Sequence, residues 1–223
     1  MSFQIKNSGE AYDVIIVGSG AGGGMASKIL SEAGLSVAVV EAGGDFDPAK
    51  EEDRTQLRPP WESPRRGAGT RIRPFGDFDA AIGGWDIDGE PYTKKNGTEF
   101  DWFRSRMVGG RTNHWGRISL RFGPNDFKRA SIDGLGHNWP IGYDDLKPYY
   151  DKVDKLIGVF GTKEGIYNEP DGFFLPPPKP RLHELYMKKG ADKVGIPMIP
   201  SRLSMLTRPI SKERGVCFFC SQC

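Results

Sequence analysis

The sequence predicts an α/β fold that opens with a Rossmann-like βαβ unit and continues through long ordered loops. Two short apolar runs, 12–17 and 35–40, are rich in β-branched residues, as in parallel strands that are covered on both faces. Between them, a glycine-rich turn leads into a helical pattern that ends before Gly34. Strand, helix and strand in this order form a right-handed crossover. The 30 Gly and 17 Pro residues among 223 indicate that much of the remainder is ordered loop.

The turn after the first strand carries a dinucleotide-binding fingerprint, with glycines in the spacing G-x-G-x-x-G and an acidic residue, Glu41, at the end of the second strand. Gly18 permits a tight turn, Gly20 lets a pyrophosphate approach the backbone, and Gly23 lets the helix pack closely on the strand. The helix N-terminus offers N–H groups to the diphosphate. A carboxylate that accepts from a ribose 2′-hydroxyl argues against a 2′-phosphate and hence against NADP. The predicted nucleotide-binding residues are Gly18, Ser19, Gly20, Ala21, Gly22, Gly23, Glu41 and Ala42.

The segment from residue 42 to residue 97 has no sustained helical or strand period. It holds Gly, Pro, Arg and scattered aromatic residues, and irregular segments of this length in compact domains are often functional. A flavin ring needs covering walls as well as a phosphate cradle, so this texture favours FAD over NAD. We predict an ordered excursion over the cofactor, or disorder where the cofactor is absent.

Charge and hydropathy exclude several classes of partner. The 31 basic and 29 acidic residues are interspersed and give a net charge of +2, so nucleic acid and anionic membranes are not expected ligands. No apolar run approaches the ~20 residues that span a bilayer. Residues 1–12 are polar and lack the apolar core of a secretory signal. We therefore expect a cytoplasmic protein, with export to the periplasm alongside a partner as the alternative.

Three further motifs follow the helix that begins at the fingerprint turn and ends before Gly34. They are Arg-Met-Val-Gly-Gly-Arg-Thr-Asn-His-Trp-Gly at 106–116, Phe-Gly-Pro-Asn-Asp-Phe at 122–127, and the Trp-Pro-Ile to Pro-Tyr-Tyr stretch at 139–150. Together with the fingerprint they resemble the glucose–methanol–choline family of FAD-dependent oxidoreductases. Within that family, the motifs are most similar to those of bacterial sugar, polyol and gluconate dehydrogenases and of pyranose oxidase. The resemblance covers residues 11–223 and implies a Rossmann-like, FAD-binding α/β fold.

In that family a Gly-Gly segment passes close to the flavin ring, where its backbone amides can hydrogen-bond flavin N5 and O4. The residues that the resemblance assigns to FAD are Arg106, Val108, Gly109, Gly110, Thr112, Asn113, His114, Trp115 and Gly116. Arg111 replaces the usual small residue after the Gly pair, and His114-Trp115 replaces a conventional Asn. These departures argue against a glucose-oxidase-like or choline-oxidase-like specificity. For His114, a covalent bond to the flavin 8α-methyl, packing beside the flavin and no contact all stay open.

All the cysteines of the chain, Cys217, Cys220 and Cys223, lie in its last seven residues. This spacing can place three thiolates around one metal, and soft thiolates favour zinc or iron–sulfur. Some bacterial relatives pass electrons from flavin through an iron–sulfur cluster to a cytochrome subunit. We predict no metal here and favour three reduced thiols, while the resemblance leaves open an iron–sulfur cluster in the intact protein.

The resemblance implies oxidation of a CH–OH group of a sugar, polyol or related alcohol, with hydride transfer to flavin N5. The family's base is a late His, which we expect beyond Cys223, so no catalytic residue is predicted among the three histidines of the chain. The electron acceptor stays open and can be oxygen, a quinone or a cytochrome. A separate electron-acceptor subunit is also possible. Two alternatives remain: a non-catalytic FAD-binding fragment or subunit that needs a partner chain, and an NAD-dependent dehydrogenase.

The expected domain organisation is an FAD-binding domain over residues 1–195 and the start of a substrate-binding domain over 196–223. The first contains the βαβ unit at 12–41, the excursion at 42–135 and a helical segment at 142–195, with helices predicted over 146–159 and 182–194. A doubly wound sheet needs several parallel strands, whereas the sequence shows two. We therefore expect a truncated chain that lacks most of the substrate domain.

Overall fold

The fold is taken from a computed structural model, which describes residues 11–45, 83–84, 91–100, 104–113 and 115–219. The chain divides into two compact units, the first made of residues 1–115 and 221–223 and the second of residues 116–220. The domain boundary predicted at residue 195 stays a prediction.

The first unit contains the predicted βαβ unit. Strand β1 is Val14–Val17, helix α1 is Ala21–Glu32 and strand β2 is Val37–Val40, and the two strands pair in parallel. Each strand begins two residues later than the sequence predicts, because Asp13 and Ser36 bond through their side chains at the start of the ladder. The Ser36 N–H and hydroxyl both donate to the Asp13 carboxylate, at 2.8 and 2.6 Å.

Two shorter pairings in the first unit lie outside the prediction. Strands β3 (Gly83–Gly84) and β4 (Arg104–Ser105) form an antiparallel pair. A parallel bridge joins Gly44, just after β2, to Met107. Met107 is almost fully buried, so this bridge anchors the segment after β4 beside the end of β2.

The β1–β2 sheet leaves apolar side chains exposed. The exposed fractions of Ile15, Val17 and Val40 are 66%, 84% and 56%. No third strand pairs with this sheet among the residues that the structure describes. The sequence predicts strands of this composition to be covered on both faces, and the surface that would cover these side chains is not supplied by the described residues.

The second unit is built on helices α2 (Pro124–Phe127), α3 (Arg129–Asp133), α4 (Tyr143–Ile157) and α5 (Leu182–Lys193). Helix α4 begins three residues before the predicted start. Its start is capped by the Asp145 carboxylate, which accepts from the Gly142 N–H at 2.7 Å. Pro148 would be the third residue of a helix that begins at 146 and would lie in its first turn, whereas the observed helix encloses it. Helix α5 matches its predicted bounds to within one residue.

A small core holds the second unit together. Phe127, Val159, Phe160 and Leu206 are buried, and the Phe160 backbone bridges both Leu175 and Leu203. These bridges fasten the segment after α4 to two later loops. The core of this unit is therefore made by side chains that follow the helices as much as by the helices themselves.

A buried ionic cluster supports helix α4 in the same unit. The guanidinium of Arg121 donates to the carboxylates of Asp151, at 2.7 Å, and Asp154, and to the Tyr143 hydroxyl at 3.1 Å. Burial would lower the pKa of Arg121, but the bonds to Asp154 and Asp151 raise it, so the cation is permanent. Asp154 also accepts from the Phe173 N–H at 3.2 Å. The cluster thus ties one face of α4 to two loops.

Candidate nucleotide-binding site

The turn between β1 and α1 has the geometry that the fingerprint predicts. Gly18 has a φ of +85°, a left-handed conformation that suits glycine, and its N–H donates to the Val40 carbonyl at 2.7 Å. Helix α1 begins at Ala21, and no side chain caps it. The first N–H groups of a helix have no partner within the helix. They are therefore available to an anion such as the diphosphate of FAD.

Gly23 allows close packing in this turn, whereas Gly20 borders open space. A β-carbon on Gly23 would stand 1.9 Å from the Gly18 carbonyl oxygen and 3.2 Å from the Ile16 side chain, so close helix–strand packing requires glycine there. A β-carbon on Gly20 would meet nothing within 4 Å. The space in front of Gly20 is therefore open, which is the cradle a pyrophosphate needs, and the residues present fit the diphosphate of FAD.

The carboxylate of Glu41 closes the turn. One of its oxygens accepts from the N–H and the hydroxyl of Ser19, at 2.8 and 2.6 Å. The other accepts from the N–H groups of Ala42 and Gly43, both at 2.9 Å. A carboxylate has about four acceptor sites, and four donors fill them here. A ribose hydroxyl that binds Glu41 must therefore take the place of one of these donors.

These bonds fix the charge of Glu41. Partial burial would raise its pKa, but donation from the Ser19 hydroxyl and from the Ser19, Gly43 and Ala42 N–H groups lowers it from 4.5 to about 2. The side chain is therefore an anion throughout the neutral and mildly acidic range.

Acid is expected to remove the stabilisation that Glu41 provides. Because the folded pKa lies below the ordinary value, the stabilisation is present above pH 4.5 and is lost as the pH falls from 4.5 towards about 2. The measurement is the urea midpoint of the unmutated protein and of Glu41→Gln as a function of pH. The unmutated protein should be more stable at neutral pH, and the difference should shrink through this window. A difference that is constant with pH would contradict the assignment.

The Gly-Gly segment forms a tightly braced turn. Gly109 and Gly110 have left-handed φ angles of +87° and +52°, and a short 3₁₀ helix, Gly110–Asn113, follows. The Asn113 side chain donates to the Val108 and Gly110 carbonyls at 2.8 and 3.1 Å, and the Thr112 hydroxyl donates to the Gly109 carbonyl at 2.5 Å. Two predicted cofactor residues, Thr112 and Asn113, therefore have a clear role in shaping this turn.

The structure brings this turn against the fingerprint. The Gly109 N–H donates to the Ser19 hydroxyl oxygen at 2.8 Å, across 90 residues of sequence. A β-carbon on Gly110 would stand 3.6 Å from the Gly20 Cα, and one on Gly43 would collide with the Met107 backbone N at 2.1 Å. The two predicted groups of cofactor residues are thus neighbours, and glycines make their approach sterically feasible.

Several backbone amides of the Gly-Gly segment already have partners within the chain. The N–H groups of Val108, Gly110 and Thr112 donate to carbonyls, at 2.9, 2.9 and 3.2 Å, and that of Gly109 donates to Ser19. A flavin that used one of these amides would have to replace the present acceptor. The flavin contacts that the sequence assigns to this segment stay predictions.

Some predicted residues lie apart or outside the described ranges. Arg106 is half-buried, Val108 and Trp115 are exposed, and Gly116 begins the second unit. Cys217 is a half-buried free thiol. Outside the described residues lie His114, Cys220, Cys223 and most of residues 42–97.

The described ranges contain neither a metal-binding cluster nor a membrane-spanning helix. Among the residues described, no cluster of three or more His, Cys, Asp or Glu side chains could hold a metal ion. No helix in the described part of the chain is long and apolar enough to cross a membrane.

The sequence does not predict the hydrogen bonds of the Ser19 hydroxyl. It places Ser19 in the site as a loop residue, whereas the structure shows its hydroxyl bonded both to Glu41 and to the Gly109 N–H. A contact between residues so far apart leaves no periodic or spacing signal in one sequence. The role of Ser19 follows from the fold alone.

Comparison with known proteins agrees with this geometry. A family described as an FAD binding domain matches residues 11–50, the segment that holds β1, α1, β2 and Glu41. Pyridoxine 4-oxidase from Mesorbium loti has a similar structure, with a TM-score of 0.50, at 21% identity over 88% of this chain and 37% of that protein. The class is thus an FAD-binding protein with a Rossmann-like α/β fold, and the predictions of this fold class and of FAD are confirmed.

Two curated proteins are similar to this chain in sequence. Paromamine 6′-oxidase from Streptomyces fradiae is 31% identical over 163 residues, covering 72% of this chain and 26% of the relative. The fructose dehydrogenase large subunit from Gluconobacter japonicus is 29% identical over 217 residues, covering 95% and 38%. The chain is therefore related to FAD-dependent oxidoreductases of the glucose–methanol–choline type, as the sequence motifs predict. It spans well under half the length of these relatives.

Proposed function

We propose that the intact protein is an FAD-dependent oxidoreductase that oxidises a CH–OH group of a sugar, polyol or related alcohol. The observation that supports this most is the open space in front of Gly20, between an uncapped helix N-terminus and the carboxylate of Glu41. The relatives contribute the substrate class, since their names include an oxidase of paromamine and a dehydrogenase of fructose.

The residues of this chain would bind and orient the cofactor. The first N–H groups of α1 would hold the diphosphate, Glu41 the adenosine ribose, and the Gly109–Gly110 turn one side of the flavin half. When bound, FAD supplies at N5 an acceptor for the hydride from the CH–OH carbon. No base is assigned to the described residues, and the family resemblance implies a His elsewhere in the intact protein.

The test of the activity is flavin bleaching under anaerobic conditions. Purified intact protein would be mixed with fructose, sorbitol, gluconate, glucose and simple diols, and the loss of oxidised flavin absorbance followed. The proposal predicts bleaching by at least one of them, with dye reduction in the steady state. A bound flavin that dithionite reduces but no alcohol bleaches would favour the second candidate, a non-catalytic FAD-binding subunit.

That second candidate has its own support. The apolar side chains of Ile15, Val17 and Val40 are exposed in the described structure, and an edge or face of this kind is normally covered. Further chain of the same polypeptide or a partner subunit could cover them. The relative from Gluconobacter is named a large subunit, which supports a partner subunit for the intact protein. A cytoplasmic location stays a proposal from the sequence alone, and cell fractionation tests it.

A covalent bond between His114 and the flavin is a further part of the proposal. Its support is the position of His114 directly after the Gly110–Asn113 turn. If the bond forms, acid precipitation leaves yellow flavin in the protein pellet, and His114→Ala releases it into the supernatant. Arg111→Ala, in the same turn, is the matched control and should keep the flavin in the pellet. Flavin wholly in the supernatant from unmutated protein would contradict the bond.

The last part of the proposed function is an iron–sulfur cluster bound by Cys217, Cys220 and Cys223. The support is the C-x-x-C-x-x-C spacing, together with a Cys217 thiol that carries no disulfide. Iron and acid-labile sulfide in the intact protein, both lost in Cys217→Ser, would agree with it. Protein without iron after anaerobic purification would contradict it.

A further inference from the structure

We propose that Ser19 is a positioning residue that links the two halves of the FAD site. The nucleotide half is the fingerprint turn with Glu41, and the flavin half is the Gly109–Gly110 turn. Its hydroxyl stands between the carboxylate of Glu41, at 2.6 Å, and the N–H of Gly109, at 2.8 Å. The inference rests on the proposed function, because both halves belong to the same FAD site.

The direction of each bond follows from proton counting. A serine hydroxyl has one proton to donate, the ionised Glu41 carboxylate can only accept, and the Gly109 N–H can only donate. The Ser19 hydroxyl must therefore donate to Glu41 and accept from Gly109. The negative charge on Glu41 fixes the hydroxyl proton, and a hydroxyl oriented in this way is the better acceptor for Gly109.

The Ser19 link acts beside a second restraint, the Gly44–Met107 bridge, in which the Val108 N–H donates to the Gly44 carbonyl at 2.9 Å. Gly109 has a φ of +87°, and a β-carbon there would stand 2.9 Å from the Asn113 amide nitrogen, so this position requires glycine. A β-carbon on its neighbour Gly110 would stand 3.6 Å from the Gly20 Cα, so the two backbones lie near each other. The Ser19 hydroxyl is thus placed to set how closely the Gly-Gly turn approaches the fingerprint.

Ligand binding would act on this link. The acceptor sites of Glu41 are filled, so a ribose hydroxyl must replace a donor, and the rotatable Ser19 hydroxyl is the one that can leave without moving the backbone. Occupation of the ribose site would then alter the acceptor offered to Gly109. Ser19 would in this way report the presence of the nucleotide to the turn beside the flavin.

The experiment uses the intact protein stripped of FAD, as unmutated protein, Ser19→Ala and Ser19→Thr. Hydrogen exchange at the Gly109 amide should be about 10-fold faster in Ser19→Ala, as expected for one lost hydrogen bond, and unchanged in Ser19→Thr, which keeps a hydroxyl. FAD should bind Ser19→Ala about 2- to 10-fold more weakly. ADP, which lacks the flavin half, should not be weakened.

The outcomes separate the inference from the proposed function. Equal weakening of ADP and FAD, or unchanged Gly109 exchange in Ser19→Ala, would overturn the link. A failure of Ser19→Thr to restore the exchange rate and the FAD affinity would overturn it as well. If unmutated protein binds no FAD, the proposed function fails, while exchange at Gly109 still decides whether Ser19 holds this turn.

Discussion

Gly20→Val is expected to prevent FAD binding while leaving the protein folded. A β-carbon on Gly20 meets no atom within 4 Å, and the extended backbone of Gly20 is one that any residue can adopt. That open space is where the diphosphate must approach the N–H groups of α1. Losing two charge-assisted hydrogen bonds, at ~1.5–3 kcal/mol each, weakens binding by roughly 10²- to 10⁴-fold. Isothermal titration with FAD and a urea unfolding curve measure the two effects separately.

Two other glycines serve as controls. Gly190→Val places the same side chain in open space in helix α5, outside the predicted FAD site, so FAD binding should persist. Gly23→Ala collides with the Gly18 carbonyl and should lower stability. Normal FAD affinity in Gly20→Val, or equal losses of affinity in Gly20→Val and Gly190→Val, would show that the diphosphate does not lie at this turn.

Arg121→Met is expected to cause the largest loss of stability in the second unit. The arginine side chain and Asp154 are both nearly fully buried, with 3% and 6% of their side-chain surface exposed. Removing the guanidinium leaves the Asp154 carboxylate buried and without its charged partner, which typically costs about 3–5 kcal/mol. The urea midpoint should fall accordingly, with an unchanged slope of the transition.

The matched control for Arg121 is Lys147→Ala. Lys147 pairs with Asp151 at 3.1 Å on the exposed side of the same cluster. An exposed pair of this kind contributes about 0.3–0.5 kcal/mol, so the midpoint should hardly move. Replacing Arg121 and Asp154 together with Met and Leu should recover part of the loss, because no unpaired charge stays buried. A loss in Arg121→Met as small as that in Lys147→Ala would contradict the role of the cluster.

The sequence predicts the βαβ unit well because its signals are local. The β-branched runs, the three glycines of the fingerprint and Glu41 each have a short-range physical reason, and the structure has β1, α1 and β2 where these signals stand. The errors lie at element ends. Asp13 and Ser36 bond to each other and delay both strands, and the Gly142–Asp145 cap starts α4 early enough to enclose Pro148.

What the sequence does not predict depends on contacts between distant residues. Ser19 and Gly109 are far apart in the chain, and so are Arg121 and Asp154, yet each pair forms a hydrogen bond that shapes its surroundings. A buried arginine has no periodic signal that separates it from an exposed one. Family resemblance places the Gly-Gly segment near the flavin, but the partners of its amides emerge only from the fold.

The absorbance spectrum of the purified intact protein tests the central claim most directly. We propose that the fingerprint, Glu41 and the Gly109–Gly110 turn together form the FAD site, so the unmutated protein should show the visible bands of oxidised flavin. Gly20→Val protein, prepared in parallel and equally folded, should be colourless. Flavin bands of equal intensity in both proteins, or a colourless unmutated protein that no added FAD can fill, would contradict the account.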